Sequence, residues 1–200
     1  MIPVLAFVLI VIAAMVILIF KDWRVNSVAL GVQYLAAFAL VMLSWPIGLA
    51  VVKLIAGWMA TAAIATTCMR QKKVESTPEP AASLFFRGLA GLLIVLVVFI
   101  VAPSLQANVF PQVELMILQA GLLLMGMSLM QLGMNSEPYL VVISLLSFLS
   151  GFEVIHAALE LSTLLTGLFV LVNLGLALVG VYLVTLAGEV DNPPKEGDAV

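Results

Sequence analysis

The sequence predicts an all-α fold, a polytopic transmembrane helix bundle of about seven spans, and three observations carry that expectation. Hydrophobic residues make up 64% of the 200-residue chain and charged residues 10%, against roughly 45–50% and 25% in ordinary soluble domains. Apolar stretches recur at close to the length of about 20 residues that crosses a hydrocarbon core of about 30 Å. The basic residues, finally, fall almost entirely at one set of span ends.

On the length criterion the spans are Pro3–Phe20, Val25–Leu43, Pro46–Met69, Leu84–Ala102, Val113–Met134, Pro138–Leu159 and Leu161–Ala187. The first is read as a retained helix and not a secretory signal. It lacks a basic start, and the polar run Lys21, Asp22, Trp23, Arg24 stands where a small-residue cleavage site belongs. Pro46 and Pro138 sit at helix starts, where a missing amide hydrogen does no harm, and Pro103 and Pro111 are expected to bracket a loop. The break between the last two spans, around Leu159–Leu161, is slight. One long connection, Arg70–Ser83, divides the chain. The expected organisation is a three-helix part over 1–73, a cytoplasmic linker over 74–83, a four-helix part over 84–187 and a disordered acidic tail over 188–200.

Orientation follows from Lys and Arg, which stay cytoplasmic in short loops. With seven spans, Lys21, Arg24, Arg70, Lys72, Lys73, Arg87 and Lys195 all fall on one side. The opposite loops, Ser44–Trp45 and Ser104–Gln112, hold no basic residue. The N-terminus is therefore expected outside and the C-terminus in the cytoplasm, in a multi-pass protein of the cell inner membrane. Nothing is basic enough for nucleic acid. The single cysteine, Cys68, excludes an internal disulfide and leaves no second thiol for a metal or iron–sulfur site. No phosphate loop, metal-ligand cluster or catalytic triad pattern is present, so no cofactor and no catalysis by the chain alone are expected.

The remaining basic residue, Lys53, lies seven positions into the third span, about 10 Å at 1.5 Å per residue. A charge near mid-membrane costs about 2.5–3.5 kcal/mol on insertion scales and marks function or pairing by default; snorkelling to the interface is the plainer alternative. Counted from the outer membrane end, Glu153 in the sixth span is about six residues deep against about seven for Lys53, and is its natural partner. Glu153, His156 and Glu160 share one helix face at i, i+3 and i+7, and Ser147 and Ser150 extend it inward. Such a row of hydroxyl, carboxylate and imidazole groups suits proton transfer, since burial moves a carboxylate towards neutrality and His titrates there already. For His156 and Glu160 simple solvation at the interface stands beside that reading. Gln33, Gln119, Gln131 and Asn173 are polar residues within spans that either extend a hydrated path or bridge helices at about 0.6 kcal/mol each. Glu114 and Glu137 are read as solvated span ends. Ala56, Gly57, Ala60, Thr61 and Ala65 form a close-packing face on the third span.

These residues carry a resemblance. The stretch Lys21–Arg70 resembles the N-terminal half of component E of hydrogenase-four-type complexes, through the Lys21–Arg24 junction, Lys53 in the run Ala50–Leu54, and the charged end Met69, Arg70. The stretch Gly151–Ala158 is similar to the Gly-x-Glu-x-x-x-Ala pattern on the glutamate helix of the related small K-type subunit of complex I. The resemblance implies that Glu153 matches a membrane glutamate used in proton transfer and Lys53 the family's membrane lysine. It implies larger antiporter-like membrane subunits and a redox module as partners, and no bound cofactor. One departure stands out. These families place a second carboxylate in the following helix, where this chain has Thr166, Gly167 and Asn173, with Glu160 only at its start. The expected function is that of a membrane subunit of a respiratory or hydrogenase-type complex, contributing to proton (or sodium) translocation or its coupling to redox chemistry. An independent small transporter and a structural scaffold subunit are the alternatives.

Overall fold

A computed structural model describes residues 2–70 and 80–191. They form seven helices: α1 (Ile2–Ile19), α2 (Trp23–Val41), α3 (Ile47–Arg70), α4 (Ala81–Asn108), α5 (Leu115–Met134), α6 (Pro138–Leu159) and α7 (Thr163–Asp191). Six of them, α2 to α7, are long and apolar enough to cross a membrane. α1 is shorter, with 18 residues and no polar side chain. Together they make a polytopic bundle of about seven spans, as the sequence predicts.

Two boundaries differ from expectation by four residues or more, and α4 also starts at Ala81, which takes residues 81–83 of the expected linker into the helix. α4 does not stop at Ala102 but runs through Pro103 to Asn108. A proline inside a helix removes one backbone hydrogen bond and is tolerated in membrane helices where local groups re-satisfy the backbone. Here the added turn is held by side chains: Asn108 Nδ2 donates to the Ser104 carbonyl at 2.8 Å, and Gln106 Nε2 donates to the Val113 carbonyl at 2.9 Å. The loop between the prolines is correspondingly short. α7 continues four residues past Ala187 to Asp191, since no helix breaker precedes Pro193. The rest of the expected tail, and residues 74–79 of the expected linker, lie outside the described residues.

The helix ends are set locally. The Asp22 carboxylate accepts from the Arg24 amide at 2.9 Å and caps α2, while the Arg24 guanidinium lies 5.3 Å from the Trp23 ring centroid. Ser162 opens α7, its hydroxyl accepting from the Leu165 amide at 3.4 Å. That seryl cap turns the slight polar break after Leu159 into a clean helix boundary.

The expected three-helix and four-helix parts interleave. α3 packs along α7, α2 along α6, and α1 along α4 and α5, while α5 and α6 share the most extensive interface. One apolar core joins α1, α2, α5 and α6 around Ile10, Leu40, Leu118 and Leu123, and a second joins α2, α3, α6 and α7 around Leu30, Ile64, Ile143 and Ala177. α4 turns a broad apolar face outward, from Phe85 and Phe86 to Phe99 and Ile100. Water would penalise such a face, and a bilayer or neighbouring helices would cover it.

The C-terminus of α1 is buried, so its last carbonyls need donors. Gln131 Nε2 reaches the Ile17 carbonyl at 3.0 Å, an Arg87 guanidinium nitrogen the Leu18 carbonyl at 3.5 Å, and Asn26 Nδ2 the Phe20 carbonyl at 3.0 Å. Arg87 also donates to Asn135 Oδ1 at 3.0 Å and is 4% exposed. Although its position in the chain groups it with the loop cations, Arg87 caps a helix inside the bundle, where its charge complements the α1 dipole. Replacing Arg87 with Leu strands the Leu18 carbonyl and the Asn135 amide oxygen. We expect a loss of about 1–3 kcal/mol, read in mixed micelles as a shift in the SDS concentration that exposes the buried Cys68 to a thiol reagent.

Candidate proton-transfer site

α3 and α6 bring Lys53 and Glu153 together. Lys53 Nζ lies 3.0 Å from Glu153 Oε2, and the two residues are 5% and 3% exposed. Their similar depth from the same end of the bundle makes the contact geometrically natural. Burial makes it necessary, because either charge alone in a low-dielectric interior would be strongly disfavoured.

The pair belongs to a chain of polar groups that touches four helices. Asn173 Nδ2 on α7 faces Glu153 Oε1 at a long 3.5 Å, and Asn173 Oδ1 accepts from the Tyr34 hydroxyl on α2 at 2.9 Å. The Tyr34 ring occupies space that only a glycine leaves on α3: a Cβ at Gly57 would collide with the ring. The small-residue face read from the sequence therefore includes a socket for Tyr34. One turn inward along α6, Ser150 is fully buried and its hydroxyl meets no hydrogen-bond partner among the described residues. One turn further, the Ser147 hydroxyl lies 2.8 Å from Gln33 Nε2 and 3.1 Å from Gln33 Oε1. Ser144 continues the series and returns its hydroxyl to the Leu140 carbonyl at 2.7 Å.

Towards the other end of α6 the row loses its polar partners. His156 stacks edge-on against Phe169 at 5.2 Å between ring centroids, lies near Phe152, and is half-buried. Its Nδ1 meets no hydrogen-bond partner among the described residues. Glu160 ends α6 as its C-terminal capping residue and is exposed, apart from the buried cluster. Of the four residues singled out for proton transfer, Lys53 and Glu153 are in contact, His156 flanks them, and Glu160 sits at the surface. Gln119 is buried, whereas Glu114 and Glu137 are exposed.

A narrow pocket borders the pair. Lys53, Glu153 and Asn173 line it together with Trp45, Thr166, Phe169 and Val170. It has room for about one water molecule. Among the described residues no group of His, Cys, Asp and Glu is placed to hold a metal ion. Tyr34 and Trp45 join the site without being marked by any motif in the sequence. The signal for Tyr34 was its adjacency to Gln33, already marked as an in-membrane polar residue; Trp45 offered none beyond its place at a helix turn.

No protein-family model matches this chain, and no match was found among curated proteins or solved structures.

Proposed function

We propose that this chain is a membrane subunit of a respiratory or hydrogenase-type complex, in which Glu153 takes up and releases protons against the charge of Lys53. The observation that carries the proposal is the buried 3.0 Å contact between Lys53 and Glu153, set in a polar chain through Asn173 and Tyr34. Intramembrane ionisable residues are costly, and function is their default reading. A carboxylate beside an ammonium group can accept a proton only when the pair is perturbed. A charge moving in a neighbouring subunit, or a shift of α3 against α6, would do that, and it is the coupling such a complex requires.

The ion is a proton in this reading. The Lys53 ammonium already occupies the place beside the carboxylate that a sodium ion would need. The hydroxyls of Ser150 and Ser147 follow Glu153 at one-turn intervals, with Gln33 bonded to Ser147, and the Ser150 hydroxyl, unpartnered among the described residues, is the link that must turn for a proton to pass. The row runs towards the end that carries Lys21, Arg24, Arg70 and Arg87. By the basic-residue rule that end faces the cytoplasm. Resemblance to component E and to the K-type subunit supplies the partners of the proposal: antiporter-like membrane subunits beside the exposed α4 face, and a redox module beyond them.

A second reading has its own support. The same polar chain ties α2, α3, α6 and α7 together, which is also what a purely structural clamp would do. Proton uptake by proteoliposomes containing the assembled complex separates the two. Glutamine in place of Glu153 keeps size and hydrogen bonding but carries no proton. With E153Q we expect assembly to persist and proton uptake to fall at least tenfold, in the range that removing a positioned acid–base group produces, roughly 10²–10⁴ for such groups. Undiminished uptake would leave the clamp as the role of the pair.

A further inference from the structure

We infer that the pocket beside the Lys53–Glu153 pair is a water port, a one-molecule shaft that opens at the end of the bundle holding the α2–α3 turn. This deepens the proton-transfer proposal and rests on it for its purpose, but not for its geometry. Thr166, Phe169, Val170 and Asn173 lie at i, i+3, i+4 and i+7 on α7, one face of the helix. Thr166 is in the first turn of α7 and Asn173 about 10 Å deeper at 1.5 Å per residue. The lining therefore runs from the helix end to the Glu153 carboxylate, which Asn173 touches. Trp45, in the turn just before α3, closes the shallow end.

Two observations mark water as the occupant. Trp45 is 6% exposed, and its indole Nε1, a donor only, is buried and meets no acceptor among the described residues. A buried donor of this kind is normally satisfied, and a pocket water is the group within reach that could accept from it. At the deep end, the carboxylate and ammonium of the pair border the same space. A molecule of water there can accept from one charge and donate to the other. The Thr166 hydroxyl donates to the Ser162 carbonyl at 2.9 Å, which leaves its oxygen able to accept from water. The opposite side of Glu153 offers only protein groups, Ser150 and the Ser147–Gln33 contact. The port thus makes access to Glu153 asymmetric, wet from the α2–α3 end and dry from the other, and Trp45 is the residue that controls it.

Thiol accessibility tests this without measuring transport. The full chain with Cys68→Ala is placed in sealed vesicles of either orientation, and single cysteines are reacted with silver ion, a charged, membrane-impermeant thiolate reagent no larger than a water molecule. The thiolate is the reacting species, so only a wetted cysteine reacts quickly. Val170→Cys and Thr166→Cys are expected to react at least about tenfold faster than Ser147→Cys, and only from the side of the α2–α3 turn. Leu168→Cys, at the same depth on the outward face of α7, should stay slow, because lipid and not water covers it. Trp45→Ala should speed the Val170→Cys reaction several-fold from the same side. Val170→Cys and Thr166→Cys both as slow as Leu168→Cys, or reaction only from the opposite side, would overturn the port; Thr166→Cys decides alone if Val170→Cys does not fold. Fast, one-sided labelling with normal proton uptake by E153Q would keep the port and discard the proton-transfer role.

Discussion

Lys53→Met alone should destabilise the protein by about 3–5 kcal/mol, the loss seen when one partner of a buried ion pair is removed and the other is left uncompensated. The physical reason is on the α6 side. Glu153 is 3% exposed, with its Oε1 reached only by Asn173 at 3.5 Å, so nothing else nearby balances a carboxylate charge. The variant must protonate Glu153, admit water or loosen α3 from α6. Replacing both residues, Lys53→Met with Glu153→Met, should restore most of the stability, since an apolar pair of similar volume is often neutral or better in place of a buried salt bridge. The single and double variants complete a cycle with Glu153→Met, measured by SDS-titrated unfolding with Cys68 as reporter. A strongly favourable coupling between the two sites is the expected result, and additive losses would show that the 3.0 Å contact contributes no net energy. Activity then divides the roles. If the double variant is as stable as the parent and the assembled complex no longer takes up protons, the charges serve transport and not packing. If stability and uptake both survive, the pair is a replaceable clamp.

How much of this was legible in the sequence depends on the length scale of the signal. Helix number and the membrane-spanning character came from stretches of about 20 residues, where many apolar side chains vote together. The Lys53–Glu153 pairing is legible as a depth count along two spans, a one-dimensional argument that works because the start of α3 and the end of α6 lie near the same membrane surface. Pro103 was misleading as a stop signal: its cost is local, and Gln106 and Asn108 sustain another turn beyond it. Arg87 reads as a loop cation because nothing in its neighbours Phe85, Phe86 and Gly88 announces that the end of α1 lies against it. Tyr34 and Trp45 depend on rotation of one helix about its axis relative to another. Almost uniformly apolar helices carry little sequence information about that rotation, because a polar face is not needed to define an outside in lipid. His156 and Glu160 share the face of Glu153, yet the helix leaves the bundle interior within those two turns, and a face assignment by itself could not show where that happens.

A close crossing of two helix backbones sets the second large prediction, a purely steric one. α5 and α6 cross with Gly121 and Gly151 facing each other, and a Cβ built on Gly151 would lie 2.8 Å from the Gly121 carbonyl oxygen and 2.7 Å from Leu124 Cβ. A Cβ on Gly121 would in turn meet the Gly151 carbonyl oxygen at 2.8 Å and overlap Ile155. Backbone oxygen cannot move aside as a flexible side chain does, so the helices themselves must separate. Small residues at such crossings let helices approach closely, and in a bilayer that packing is a principal source of association energy. Gly151→Val should therefore cost at the upper end of the roughly 1–3 kcal/mol typical of overpacking, and Gly151→Ala less but in the same direction. Gly126, on α5 with Gly121, is the control, since a Cβ there meets only Ile94 Cγ2, at 3.0 Å, and Gly126→Ala should be much milder. The consequence reaches the site because Gly151 stands two residues before Glu153 on α6. Moving α6 off α5 carries Glu153 with it and lengthens or breaks its contact with Lys53 on α3. If the crossing positions the site, shrinking the side chain again, from Gly151→Val to Gly151→Ala, should recover much of both Cys68 protection and proton uptake. Recovery of protection without uptake would show that the height of Glu153, and not the integrity of the bundle, is what the glycine pair maintains.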